Sequence, residues 1–218
     1  MTAAIAHPHV QPPLQDRSRR TLEQIGRAVE ELLATRSFDD ISVADIVRQA
    51  RCSVGSFYAR FTGKDDLLPY LYQRYDADLR PRMQARMSSI DWERLSLRET
   101  VVLIVEGMID MYLERRHLLR AVALLARTRP DEVSAEMRAS RTGTTDMPAK
   151  LLARFADDIA HPDPLQAARV GFFMTAAIAR EKILFGEAPH AGSTALTNDR
   201  LKRELARMLY GYLTTPDF

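Results

Sequence analysis

Ser42-Val-Ala-Asp-Ile-Val-Arg-Gln-Ala50, Arg51-Cys52 and Ser53-Val-Gly-Ser-Phe-Tyr-Ala-Arg-Phe61 are three consecutive stretches that decide how this chain folds. Val43, Ile46, Val47 and Ala50 recur at i, i+3, i+4 and i+7, the spacing of one face of an α-helix. Ser42 stands just ahead of them and Asp45 three positions later, a capping-box pattern with Asp in place of Glu. The spacing predicts a short helix over Val43–Ala50. Arg51–Cys52 then makes a tight turn, and Ser53 caps a further helix over Val54–Arg60, with Phe57 and Phe61 facing inward. Upstream, Leu22, Ile25, Val29, Leu32 and Leu33 mark a helix near Arg17–Thr35.

Three short helices in so little chain, the last two joined by a tight turn, form the arrangement of a helix-turn-helix DNA reader, here Ser42–Phe61. The last helix must enter a major groove about 12 Å wide, so its outward residues have to be small enough to bring the backbone near the bases. Val54, Gly55, Ser56 and Ala59 meet that need. Tyr58 and Arg60 are expected to reach phosphates from the same helix, and Ser42 and Ser53 offer hydroxyls and helix-end N–H groups. Val54 is suited to a thymine methyl.

Outward from this motif the signal stays helical. Lys64–Arg80 is predicted as a fourth helix, with Leu67, Leu71, Tyr75 and Leu79 on one side and Asp65 and Asp66 at its positive end. Pro69 is expected to kink it and Pro81 to end or bend it. Leu97, Val101, Ile104, Val105, Met108 and Tyr112 form a wide apolar face. Leu118–Leu125 is nearly all apolar and suits an interior. Asp131–Asp158 is helical with a break at Thr142–Pro148. Pro164–Phe185 and Asp199–Leu213 are the last two helices, with a loop at Gly186–Thr197 between them. No segment alternates as a half-buried strand does, so the expected fold is all-α, with about nine helices. Residues 1–16, with Pro8, Pro12 and Pro13, read as a flexible arm, 17–63 as the helix-turn-helix domain and 64–218 as a larger helical domain.

Composition narrows the function. Among 218 residues, a net charge of +2 is too small for a protein that coats nucleic acid over its whole surface, yet leaves room for a local basic face. The one cysteine, Cys52, rules out an intramolecular disulfide and fits a reducing compartment; it reads as a small thiol packed in the turn. Met1–Val10 lacks the features of a signal peptide, and the longest apolar stretch, Gly171–Ala179, is far short of the roughly 20 residues of a membrane span. A cytoplasmic protein without membrane contact is therefore expected. His7 and His9 lie in the arm, while His117, His161 and His190 are isolated, so neither metal nor cofactor is expected. No nucleophile–base pair, paired carboxylates or glycine-rich phosphate loop stands out, and no enzyme is expected.

The stretch Ile41–Ala50, Ser53–Phe61 and Gly63-Lys-Asp-Asp-Leu67 resembles the DNA-binding region of TetR-family regulators, over roughly residues 17–70. That family commonly has Ala-Gly-Val-Ser-Lys-Gly-Thr-Leu-Tyr-His-Tyr-Phe and then Ser-Lys-Glu-Glu-Leu. Ala50, Ser53, Gly55, Tyr58, Phe61, Lys64 and Leu67 match, with Ser56 for Thr and Phe57 for Leu. Arg51 stands for Gly, Cys52 for Val, Val54 for Lys and Ala59 for His. The resemblance implies a dimeric repressor released from a palindromic operator in double-stranded DNA by a small-molecule effector; an activator or global DNA organiser with the same reader is the rival. An all-helical enzyme or carrier containing a similar module is a more distant one. The resemblance also implies that Lys64 holds a phosphate and that the last two helices build a homodimer, with Phe172, Ile183, Leu201, Leu205 and Leu209 at the interface. A mostly apolar effector would lie among Trp92, Met108, Met111, Tyr112, Phe155 and Phe173, since methionine and amphipathic aromatics suit such cavities.

Overall fold

Capping and turn chemistry divide the chain much as the sequence anticipates. A computed structural model describes residues 16–130, 146–186 and 196–216. Apart from Asp16, the arm lies outside them, as do residues 142–145 of the expected break and most of the loop after Phe185. The described residues are helical, with no strand among them. They form two units: Met1–Arg80 with His117–Met137, and Pro81–Arg116 with Arg138–Phe218. The division therefore falls inside the fourth helix, not ahead of it at residue 64.

In the first unit, α1 (Asp16–Leu33) buries Leu22, Ile25, Ala28, Val29 and Leu33 and packs on α2 (Val43–Ala50). Ser42 Oγ accepts from the Asp45 N–H at 3.1 Å, and Asp45 Oδ2 accepts from the Ser42 N–H at 3.1 Å, so two orphan donors of the α2 start are satisfied at once. Helix α2 ends where Arg51 turns left-handed at φ 52° and ψ 44°, its N–H bonding the carbonyls of Val47 and Arg48. Arg51 is the one non-glycine with positive φ among the described residues. For a side chain with a Cβ that conformation costs about 1 kcal/mol. Helix α3 (Val54–Tyr58) starts from Ser53, whose Oγ accepts from the Ser56 N–H at 3.1 Å. It is shorter than the sequence suggests, because Ala59 already closes it. Phe57 and Phe61 are both wholly buried, and ring centroids step from Phe57 to Phe61 at 5.3 Å and on to Tyr70 at 5.5 Å.

The fourth element opens as a tight 3-10 turn, Lys64–Asp66, held by Asp66 Oδ2 accepting from the N–H and hydroxyl of Thr62. Helix α4 runs from Leu67 to Ser88 and buries Leu67, Leu68, Tyr70, Leu71, Tyr72, Tyr75 and Leu79. Pro69 falls in its first turn, where an N–H would have no partner within the helix, so the expected kink has no cause there. Pro81 is the interior proline, and the helix continues through it. Helix α6 (Arg116–Thr128) belongs to this unit from His117 onward. It is longer and more two-sided than expected, burying Leu118, Ala121, Val122 and Leu125 and exposing Leu124.

The second unit packs α5 (Leu97–Glu114), a short α7 (residues 146–152), α8 (Pro164–Phe185) and α9 (Asn198–Thr214) around one core. A Ser96–Glu99 capping box starts α5. Val101, Val105 and Ile109 of α5 meet Ala168 and Phe172 of α8 and Leu201, Leu205, Leu209 and Leu213 of α9 in this core. Each fully buried aliphatic of this kind contributes about 1.5–3 kcal/mol. Gly171 lets α8 and α9 touch: a Cβ there would lie 2.8 Å from both Leu209 Cδ1 and Tyr212 Cδ1. After α7 the chain tightens into a 3-10 stretch, Ala153–Asp158, broken at Phe155. Asp163, capping Gln166, and Pro164 then start α8 in a standard way.

Candidate nucleic-acid interface

Helix α3 is fixed from behind and bare in front. Phe57 is its anchor, buried completely, while Val54 and Tyr58 are 51% and 54% exposed and Gly55 and Ala59 also face solvent. Tyr58 packs its ring edge-on to Phe57 at 5.3 Å, which orients the phenol outward. Large apolar groups this exposed on a helix of one turn and a half need a reason, and a groove-reading face supplies one. Ser53 and Ser56 share a hydroxyl contact of 2.9 Å at the start of the same helix.

Three residues expected on phosphates are engaged inside the protein. Lys64 Nζ donates to the carbonyls of Phe38 at 3.0 Å and Asp39 at 3.1 Å and sits 4.9 Å from the Phe38 ring centroid. It braces the loop ahead of α2. Arg60 donates to the Ser56 carbonyl, to the Ser18 carbonyl at 3.3 Å and to Ser18 Oγ at 2.8 Å, tying α3 to the start of α1. Ser42 Oγ donates to Asp45 Oδ2 at 2.7 Å, so its hydroxyl proton is already used. For Lys64 and Arg60 folding brings acceptors from far along the chain, which spacing does not reveal, whereas the Ser42 hydroxyl is taken by its own capping-box partner.

Asp45 is the electrostatic centre of this corner. The Ser42 hydroxyl and N–H, then Arg36, hold its carboxyl far below the usual carboxylate range. Arg36 lies 3.1 Å from it, and Arg48 pairs with its other oxygen. Burial pushes the Cys52 thiol up, with Arg60 opposing the effect, which fits an unreactive packed thiol. Among the described residues no three metal-ligating side chains gather, and no helix is long and apolar enough to cross a membrane. His7, His9 and His190 lie outside those residues.

In the second unit the expected effector residues stand in different surroundings. Met108 is a core residue, Phe173 is 66% exposed on α8, and Trp92 is half-buried with its Nε1 donating to the Met87 carbonyl at 2.8 Å. Met111, Tyr112 and Phe155 are half-buried. A groove of about 420 Å³ between α5 and α9 is lined by Arg98, Val102, Arg203 and Tyr210 among others, and by none of the six. The expected dimer residues also need correction. Leu201, Leu205 and Leu209 are 3%, 4% and 1% exposed and Phe172 is 5% exposed, so they fill the protomer's own core and have no surface to give a partner. Ile183 is half-buried. Large apolar side chains exposed on the same helices include Val170, Phe173, Met174 and Ile178 on α8 and Met208 and Tyr210 on α9.

Comparison with known proteins agrees with this geometry. Residues 25–71 match the family described as bacterial regulatory proteins, tetR family. Over 60 residues the chain is 42% identical to YwcC of Bacillus subtilis (strain 168), an uncharacterised HTH-type transcriptional regulator; the match spans 28% of this chain and 27% of that relative. The fold is similar to that of a protein from Mesorhizobium loti MAFF303099 assigned to the TetR family, with a TM-score of 0.64 and 20% identity over 91% of this chain and 98% of the other. A tetR-family regulatory protein from Rhodococcus RHA1 superposes with a TM-score of 0.61 and 14% identity over 90% and 98% of the two chains.

Proposed function

We propose that this chain, whose residues 25–71 match the tetR family and whose fold is similar to that of a TetR-family regulator, is a transcriptional repressor. It binds a palindromic operator in double-stranded DNA as a homodimer and leaves when a small, mostly apolar effector occupies the second unit. The observation that carries the DNA reading is the face of α3: Val54, Gly55, Tyr58 and Ala59 exposed, with Phe57 wholly buried behind them. A two-fold dimer doubles the few contacts one reader makes and explains the symmetry of its site. The open apolar face of α8 supports that dimer. Half-buried Met111, Tyr112 and Phe155 support an apolar effector. Its route to the reader is α4, whose residues are shared between the two units.

Selection of duplexes from a random library by the purified protein tests the reading. A two-fold symmetric consensus is expected, and a reporter gene placed behind it should be shut down by the protein. Val54→Ser should relax preference for thymine at one position of each half-site, while Tyr58→Phe should weaken binding to all sequences alike. Enrichment of no sequence, or wild-type affinity in Tyr58→Phe, contradicts the proposed face.

A further inference from the structure

Arg51 occupies the one position of the reader where the backbone asks for glycine. Its left-handed φ of 52° is imposed by the fold, because in that conformation its N–H and that of Cys52 close the end of α2 on the carbonyls of Val47 and Arg48. Glycine makes such a turn without steric conflict, and asparagine makes it at lower cost than arginine. The Arg51 side chain gives nothing back to the fold. It is exposed, and it makes no hydrogen bond or ion pair with any described residue. Neighbouring cations behave differently: Arg48 and Arg36 are paired with Asp45, Arg60 is tied to Ser18, and Lys64 is spent on two carbonyls. An unfavourable backbone state retained for an unpartnered guanidinium points to a use outside the folded chain.

We propose that Arg51 is a phosphate-binding residue of the reader, clamping the DNA backbone beside the groove that α3 enters. This rests on the DNA-binding reading above. Arg51 lies three residues ahead of Val54, so its Cα is within about 11 Å of the start of α3. A groove about 12 Å wide has phosphates on both lips, within reach of a long side chain anchored that close to the inserted helix. Guanidinium suits the task because its planar fork meets two phosphate oxygens at once and stays charged. Since the contact is to the backbone, it adds affinity for every sequence and positions α3 without reading bases.

The test compares wild type with Arg51→Gly, Arg51→Gln and Arg51→Lys on two probes: a duplex selected by the wild-type protein, and a duplex of unrelated sequence and equal length. Binding is measured across a series of salt concentrations, and melting temperature is measured for each variant. Arg51→Gly relieves the left-handed turn and should melt higher than wild type, yet bind both duplexes about fivefold to tenfold more weakly. The slope of log affinity against log salt should fall by about 0.9 per bound chain, near two for a dimer. Arg51→Gln keeps the backbone state and loses the charge; it should show the same binding loss without the gain in melting temperature. Arg51→Lys should keep the salt slope. Wild-type affinity and slope in both Arg51→Gly and Arg51→Gln overturn the assignment. A wild-type protein that binds neither duplex overturns the DNA reading beneath it, a distinct result.

Discussion

Arg129, the residue after the end of α6, places Nη2 3.1 Å from Oδ1 of Asp39 in the loop ahead of α2. Its Nη1 lies 3.1 Å from Oδ1 of Asp65 in the 3-10 turn that leads into α4. One guanidinium thus ties α6 to two separate parts of the reader, beside the carbonyls that hold Lys64. Both acids are well exposed, at 83% and 63%, so the pairs are screened by water and salt. Arg129→Ala should therefore lower stability by less than about 1 kcal/mol, with the difference shrinking at high salt. Denaturant unfolding at two ionic strengths checks this; a loss of several kcal/mol would show that Arg129 supports the unit in some other way.

Lys64 separates a bracing role from a DNA-contacting one. Lys64→Met removes the donor to the Phe38 and Asp39 carbonyls while keeping much of the side chain's bulk. It should cost about 1.5–3 kcal/mol of stability, the range for hydrogen bonds made by a charged group. The salt slope of DNA binding should stay as in wild type, because no phosphate contact is lost. A slope reduced by about one per chain, with stability unchanged, would return Lys64 to the phosphate role.

The capping boxes make the protein sensitive to acid in a defined direction. Asp45 and Glu99 are both held below their ordinary values, chiefly by the hydroxyls of Ser42 and Ser96, and Asp146 is lowered by Lys150 and then Arg169. A carboxyl that binds protons less readily when folded adds stability above its unfolded pKa and loses it as the pH falls through the folded value. The loss should begin below about pH 4–5, where unfolded carboxylates start to take up protons. Melting temperature followed from neutral pH downward should drop there in wild type and less steeply in Asp45→Asn. An equal slope in both would mean that the α2 cap takes no part.

Gly171 is a packing glycine, and the geometry makes its replacement measurable. Gly171→Ala forces a Cβ to 2.8 Å from side chains of Leu209 and Tyr212, so α8 and α9 must part or those side chains must shift. Overpacking of this kind costs about 1–3 kcal/mol, more than the gain in helix propensity from replacing glycine by alanine. Thermal unfolding should show the loss. A more stable variant would mean that Tyr212 swings away freely.

The reader was legible in the sequence because each of its signals is local. A cap at Ser42, another at Ser53 and buried positions at Ile46, Val47, Phe57 and Phe61 follow from spacing alone. The fates of Arg60 and Lys64 were not legible, since the Ser18 acceptor of the one and the Phe38 acceptor of the other stand 42 and 26 residues away along the chain. Pro69 misled for a different reason: its effect depends on which turn of the helix it occupies, and the 3-10 start at Lys64 moved it to the first. On α8 and α9 periodicity failed because both helices are apolar on more than one side. Only packing shows which apolar side is already covered.

That distinction yields the test of the proposed dimer. Phe173, Met174 and Ile178 line the open side of α8, with Phe173 the most exposed large apolar side chain among the described residues at 66%. A patch of this kind is costly to leave in water, and the proposed subunit contact would cover it. Glutamate there meets no penalty in an isolated protomer, because the position is solvated, but it places unpaired charge in the middle of a subunit contact. Leu205 is the control: at 4% exposure it lies in the protomer core, and glutamate would be buried among Val101, Phe172 and Leu209. Phe173→Glu with Ile178→Glu should therefore give a folded monomer, with helical circular dichroism retained, sedimentation at half the wild-type mass and operator affinity sharply reduced. Leu205→Glu should instead unfold the second unit. If the Phe173 and Ile178 double variant still sediments as a dimer, the α8 face is not the contact, and the copies must meet elsewhere on the chain.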